Sequence, residues 1–284
     1  MRTLLHHRAA RLLAAASLVA TIGVLGAAPT SVAAPTWAPA ASATIHPGVQ
    51  LFTDGAQCTA NFIFSDGTNT YIGQAAHCQS TGASTDTDGC TSGSLPLGTP
   101  VDIGDTGVQG TIVYSSWLTM QANHETDANA CAYNDIALVK IPASAVGLVN
   151  PSVPSFGGPT GVGPSTTSGQ LVYSYGNSEL RAGISLLSPK TGLSFGDQGN
   201  GWSHEVYTLT PGIPGDSGSG FLNANGQAIG VLSTLTLLPT PGSNNVSDLG
   251  HMLAYMHSHG GPNAHLVTGT QAFHASLLGL VPLG

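Results

Sequence analysis

Charge is what this chain has least of. Only 7% of its 284 residues are Asp, Glu, Lys or Arg, and just six are basic. Three of those six, Arg2, Arg8 and Arg11, stand at the very start. Beyond position 34, Lys140, Arg181 and Lys190 alone face all fourteen acidic residues, a net charge near −11 with histidine neutral. So few cations exclude nucleic acid and anionic membranes as partners, because binding to phosphate-rich surfaces is carried by Lys and Arg. Long apolar runs are also scarce. Residues 12–27 form one, shorter than the ~20 residues a membrane-spanning helix needs, and no later stretch could cross a bilayer. Cysteine is limited to four positions, and helical periodicity is missing until about residue 249.

What the chain does have begins with an exported protein's leader. The basic start, the apolar 12–27 run and the small residues after it form a secretory signal over 1–34, with cleavage after Ser31-Val-Ala33 or as late as Ala41-Ser-Ala43. The Ala/Pro-rich 35–44 stretch is expected to be disordered or removed as a short pro-segment. Export places the four cysteines in an oxidising compartment, where they are expected as two disulfides with three connectivities open. In the loop-entropy model each adds roughly 3 to 4 kcal/mol. About 240 residues are left, enough for one large domain or two small ones.

Abundant Gly, Ser, Thr and Pro suit short strands joined by turns. Residues 61–64 and 70–73 read as a hairpin across Ser65-Asp-Gly-Thr68, followed by a surface loop over 82–98 and strands at 110–114 and 134–141. The Pro/Gly-rich 142–168 stretch marks the boundary between two halves. Further strands are expected at 170–175, 182–187, 205–210, 218–222 and 228–233. A helix then begins at a Ser247 cap, carries Leu249, Met252, Leu253 and Met256 on one face, and stops at Gly260. The divisions expected are a first barrel over 45–145, a linker over 146–168, a second barrel over 169–245, and a C-terminal helix and tail over 246–284.

Chemistry concentrates in Gly215-Asp-Ser-Gly-Ser-Gly220. A serine between glycines on a tight turn leaves its hydroxyl exposed and aims the N–H groups of Gly215 and Ser217 at one point, where an oxyanion could form. A serine hydroxyl is a weak nucleophile near neutral pH and needs a base with an orienting group behind it. Upstream, His77 in Ala75-Ala-His-Cys78 and Asp135 in Asn134-Asp-Ile-Ala-Leu138 supply both types.

These three contexts, in the order His, Asp, Ser, resemble the trypsin-like (chymotrypsin-fold) serine peptidases, in particular secreted actinobacterial members. The resemblance spans roughly 45–235 and implies an all-β fold of two packed six-stranded antiparallel barrels with a C-terminal helix. It implies a secreted, monomeric endopeptidase that needs no cofactor or metal and takes protein or peptide substrates. Ser217 would be the nucleophile, His77 the general base and acid, and Asp135 the group that holds the imidazole. Family members tie the cysteine after the catalytic histidine to one just upstream, which implies Cys58–Cys78 and leaves Cys90–Cys131. Many relatives also pair the acid before the nucleophile, here Asp216, with a freshly cut Ile-Val-Gly-Gly amine. Ile45-His-Pro-Gly48 is a poor match to that start. Asp216 therefore needs an internal cation, expected to be Arg181 ahead of Lys190, because guanidinium forms paired hydrogen bonds to carboxylate. The specificity pocket is expected from Pro211, Ser233, Thr234 and Leu235, with no acid at Pro211 to favour a basic residue and Leu235 making the pocket small or apolar.

Two rival readings come from other classes. A serine esterase of the α/β-hydrolase kind would use Ser217, Asp248 and His251 or His257, yet its Gly-x-Ser-x-Gly elbow is broken by Ser219. A secreted binding protein could keep the peptidase scaffold without activity. His251, His257, His259 and His265 are read as scattered surface histidines rather than a metal set.

Overall fold

A computed structural model describes residues 35–83, 86–235 and 241–276, all in one compact unit. The expected signal segment lies outside the described residues. Its neighbour 35–44, expected to be loose or removed, runs along the first half of the chain. There the Ala38 N–H donates to the Val149 carbonyl (2.8 Å) and Trp37 packs on the apolar core.

Four strands open the fold: β1 (Gln50–Thr53), β2 (Ala56–Thr59), β3 (Ile63–Ser65) and β4 (Thr70–Gln74). They are followed by β5 (Pro100–Ile103), β6 (Val108–Ser115), helices α1 (Ser116–Ala122) and α2 (Ala128–Tyr133), and β7 (Ala137–Lys140). These strands, with the late β14 (His265–Leu266), make one eight-stranded antiparallel sheet in the order β14-β3-β4-β7-β6-β5-β1-β2. Leu51, Ile63, Ile72, Val101, Ile112 and Val139, drawn from six strands, meet in one buried cluster, so the sheet curls around a common core. The six-stranded closed barrel expected here is thus an eight-stranded curled sheet. Its end strand β2 reaches out of the sheet: the Thr59 N–H at the end of β2 donates to the Ser217 carbonyl (2.8 Å).

The second half closes fully. Strands β8 (Leu171–Tyr175), β9 (Pro189–Gln198), β10 (Ser203–Thr208), β11 (Gly220–Asn223), β12 (Ala228–Leu235) and β13 (Asn244–Asp248) form a barrel in the order β10-β13-β12-β11-β8-β9. Val172, Val206, Phe221, Ile229, Leu232 and Val246 fill it. The strand expected at 182–187 is instead a bend that runs into one short helical turn, Ser185–Leu187, with Ile184 and Leu186 exposed, and the chain enters the sheet at Pro189. Closure also leaves no free edge for another chain to pair with.

The seam between the two halves is apolar. Phe62, Phe64 and Leu138 from the first sheet meet Tyr173, Leu222 and Val231 from the barrel, with Met252 and Met256 of helix α3 (Leu249–Ser258). The 146–168 stretch, read as a linker, contributes Val153 and Phe156 to this seam and is packed rather than spacer-like. Helix α3 is capped by Asp248, not Ser247: its Oδ1 accepts from the His251 N–H at 2.8 Å, and Ser247 still lies in β13. Both disulfides form, Cys58–Cys78 and Cys90–Cys131.

Candidate active site

His77 sits in a single helical turn, Ala76–Gln79, directly after β4. The adjacent Cys78 is bonded to Cys58 in β2, which fixes that turn against the sheet. Asp135 lies between α2 and β7, and its backbone is held from both sides by one hydroxyl. Ser116 Oγ donates to the Asn134 carbonyl (2.7 Å) and accepts from the Ile136 N–H (3.0 Å). The Cys90–Cys131 bridge anchors α2 just upstream.

The Asp135 carboxylate is buried and accepts three hydrogen bonds: the His77 backbone N–H to Oδ1 (2.8 Å), His77 Nδ1 to Oδ2 (2.7 Å), and Ser233 Oγ to Oδ2 (2.6 Å). Burial alone would raise its pKa, but the His77 charge and these bonds outweigh it and hold the group below the usual carboxylate range. For His77 burial acts downward, and the Asp135 charge and hydrogen bond overcome it, so the imidazole pKa is raised. A neutral ring donating through Nδ1 presents Nε2 as an acceptor. Among the described residues no protein group bonds to that nitrogen, and the His77 side chain is 22% exposed.

His77 and Ser217 line the same cavity, of about 560 Å³. No hydrogen bond joins Ser217 Oγ to the imidazole in this structure, a separation common in unliganded sites that tighten only around a substrate. The turn bearing Ser217 is braced from below. The Gly215 carbonyl accepts from Thr59 Oγ1 (2.8 Å) and Gln57 Nε2 (3.0 Å), and the Gly218 N–H donates to the Leu232 carbonyl (2.8 Å). Gly215 and Gly218 have φ of +93° and +89°, where a side chain is strained, and a Cβ at Gly215 would strike Gln57. Among the described residues the N–H groups of Gly215 and Ser217 have no acceptor, so both are available to a ligand.

Under the turn, Asp216 is fully buried and accepts from two cations at once: Arg181 (2.5 Å) and Lys190 Nζ (2.9 Å). Backbone N–H groups of Ser178 and Ile213 complete its shell, each at 3.1 Å. Burial opposes the charged carboxylate, yet the Lys190 charge and the Arg181 hydrogen bond keep its pKa lowered. Burial likewise pushes the Lys190 pKa down to about 8, against the pull of Asp216. The sequence pointed to Arg181 over Lys190; the structure uses both, because β9 turns Lys190 into the barrel interior.

Of the expected pocket residues, Ser233, Thr234 and Leu235 line the cavity. Pro211 does not: its carbonyl is turned to Arg181 (3.0 Å) and Lys190 (3.3 Å), and Gly212 and Ile213 form the wall in its place. Two contributions escaped sequence reasoning. Ser233, besides lining the cavity, grips Asp135. Asn244, from the all-polar start of β13, spans the two pocket walls. Its Oδ1 accepts from the Gly212 N–H (2.8 Å), and its Nδ2 donates to the carbonyls of Gly212 (3.2 Å) and Thr234 (3.3 Å). A polar residue opening a strand near a predicted pocket was the one available signal.

The rival triad falls apart in space. Asp248 binds His204 and His251 (2.9 Å each), and none of these three lines the cavity. His257 Nε2 bonds the Ala264 carbonyl (2.9 Å), and His259 stacks on Tyr255. Among the described residues, the groupings close enough to share an ion each include both sulfurs of a disulfide, which are not thiolates.

No family model and no curated protein matches this chain. Solved structures of similar shape include Thermobifida fusca Protease A (19% identity, 79% of this chain and 99% of that one, TM-score 0.49). Cellulomonas bogoriensis chymotrypsin is another (16% identity, 78% and 98%, TM-score 0.47), as is Nocardiopsis protease (18% identity, 78% and 98%, TM-score 0.43). Identities this low and TM-scores under 0.5 decide neither activity nor substrate, which rest on the side chains described above.

Proposed function

We propose that the chain is an exported serine endopeptidase. The observation that carries this reading is a histidine held by a buried aspartate through Nδ1 and the backbone, with its other ring nitrogen unbonded beside a cavity that Ser217 also lines. Ser217 Oγ attacks the scissile carbonyl carbon as His77 Nε2 takes its proton. The carbonyl oxygen becomes an oxyanion received by the N–H groups of Gly215 and Ser217. His77 then returns the proton to the leaving amine, and water repeats the sequence to release the acyl group. Asp135 keeps Nδ1 protonated and stabilises the imidazolium, while Arg181 and Lys190 hold Asp216 so that the turn keeps its shape.

Ile213, Leu232 and Leu235 give the cavity apolar walls, and the Asn244 amide is engaged with backbone on both sides. The one carboxylate in the lining, Asp86, belongs to the exposed loop after His77 rather than to these walls. A small or apolar residue before the cleaved bond fits this surface, and Arg or Lys does not. The disulfides and the basic-then-apolar leader favour work outside the cell.

Fluorophosphonate labelling tests the chemistry: Ser217 is modified in the wild-type protein and unmodified in a His77→Ala variant. Absence of label on folded protein would assign the cavity to binding instead. A peptide library, with cleavage sites read by mass spectrometry, tests the preference and separates peptidase from esterase.

A further inference from the structure

Gly215 lines the cavity on a peptide plane that its own turn does not fix. Residues 213–216, Ile-Pro-Gly-Asp, form a tight turn closed by the Asp216 N–H, which donates to the Ile213 carbonyl (2.9 Å). Proline at the second place and glycine at the third, with φ of +93°, make it the type II form. Turning the central Pro214–Gly215 peptide over by half a rotation gives the type I form, which keeps the closing hydrogen bond and moves the glycine to φ of about −90°. Glycine accepts both signs of φ. The two forms differ in what the plane turns outward: in one the Gly215 N–H, in the other the Pro214 carbonyl oxygen.

A contact from outside the turn chooses between them. Ser178 Oγ donates to the Pro214 carbonyl (2.6 Å). In a trans peptide the C=O and N–H point opposite ways, so a hydroxyl that holds the Pro214 oxygen aims the Gly215 N–H away from itself. That N–H has no acceptor among the described residues. The hydroxyl is itself held in place. Ser178 is buried, its N–H donates to Asp216 Oδ1 (3.1 Å), and its Oγ accepts from the Leu180 N–H (3.1 Å). Just before it, Asn177 is tied to the first sheet: its N–H donates to Thr59 Oγ1 (3.1 Å), and its carbonyl accepts from Gln50 Nε2 (3.0 Å) and Gln57 Nε2 (3.2 Å). The same Thr59 and Gln57 side chains hold the Gly215 carbonyl, one peptide further on.

We propose that Ser178 is a positioning residue for the oxyanion site, holding the Pro214–Gly215 peptide in the orientation that presents the Gly215 N–H to the developing charge. Without that hydroxyl the plane is free to turn over, and a chain with the Pro214 carbonyl outward sets the wrong end of a dipole where the oxyanion forms. Ser178 is not part of the cavity lining, so it acts through Gly215 rather than by touching the substrate. The inference rests on the peptidase reading and adds to it the group that keeps one oxyanion donor aimed.

A peptide aldehyde and the matching peptide alcohol, each ending in an apolar residue, separate this role from a purely structural one. Ser217 Oγ adds to the aldehyde carbon, its proton passes to His77 Nε2, and the former carbonyl oxygen carries the negative charge toward the N–H pair; the alcohol forms no such adduct. In Ser178→Ala, kcat on a peptide anilide is expected to fall about tenfold with KM little changed, and the aldehyde to bind about tenfold more weakly while the alcohol binds as before. That loss is smaller than the hundredfold or more that follows deletion of an oxyanion donor, because the plane still spends part of its time correctly turned. Unchanged kcat, or aldehyde and alcohol weakened alike, would overturn the assignment while leaving the wild-type activity standing. A wild-type chain that neither cleaves peptides nor prefers the aldehyde to the alcohol would overturn the peptidase reading, and this assignment with it. If Ser178→Ala fails to fold, Ser178→Cys, whose thiol is a weak donor, gives the same comparison.

Discussion

Among the described residues two buried aspartates hold histidines, Asp135 one and Asp248 two, and only the Asp135 pair faces the cavity. His77 binds Asp135 through Nδ1 at 2.7 Å and leaves its other nitrogen toward open space. His204 binds Asp248 through Nε2 at 2.9 Å, but its Nδ1 lies 3.1 Å from Thr166 Oγ1 and the residue is fully buried. Both pairs satisfy the requirement that a buried acid have partners. The second does nothing more, because both imidazole nitrogens are occupied by the protein. What separates a candidate base from a structural histidine is thus an unused nitrogen beside a reachable hydroxyl. The sealed pair ties β10 to the cap of α3, so its role is to hold the barrel and helix together.

Substitutions should separate the two pairs, beginning with the largest effect. Ser217→Ala is expected to lower kcat by about a millionfold, measured on a peptide anilide with an apolar residue at the cleavage position, with the circular dichroism spectrum unchanged. Next, Asp135→Asn should lower kcat by roughly ten-thousandfold, the scale set by measured Ser–His–Asp triads. Asp248→Asn should leave kcat within a few-fold and instead destabilise the fold by about 3 kcal/mol in denaturant titration. Equal kinetic losses for the two would erase the distinction.

Arg181→Ala follows, expected to reduce kcat by about tenfold with KM little changed, since Lys190 still holds Asp216 and a one-unit free-energy step of 1.4 kcal/mol is tenfold. No change in kcat would remove Arg181 from the machinery. The pH profile gives a smaller effect that still distinguishes the pairs. The His77 pKa is raised, so kcat/KM should fall on the acid side with a midpoint above the ordinary imidazole value near 6.5. Asp135→Asn should move that midpoint to lower pH. For stability the signs oppose each other. The His77 contribution is present below its unfolded pKa and is lost as pH rises through the raised folded value. The Asp135 contribution is present above the usual carboxylate range and is lost as acid titrates its lowered folded value. Smallest of all, Thr166→Val should cost about 1 kcal/mol of stability and no activity, read by Tm and kcat together.

Much of the candidate site was legible because its residue types are rare in their contexts. A serine between glycines, a histidine beside a cysteine and an acid ahead of an apolar strand each announce themselves, and with three cations beyond residue 34 the partners of Asp216 had few alternatives. Strand β9 was not legible, because its inward side chains are lysine, glycine and serine while apolar Ile184, Leu186 and Leu187 mark exposed turns beside it. Strand β13 reads Asn-Asn-Val-Ser-Asp and is held by ladders on both sides rather than by alternation. The grip of Ser233 on Asp135 joins residues 98 positions apart, beyond the reach of any local pattern.

The countercharges of Asp216 come from the same barrel that carries Ser217. Ile45, which opens the poor match to a processed start, is built into the first half of the fold, its N–H donating to the Leu148 carbonyl (3.1 Å). With Asp216 already paired to Arg181 and Lys190, the proposed enzyme needs no freed amine at Ile45 to hold that carboxylate. Chain made with an affinity tag ahead of Pro35 should be as competent as chain without one.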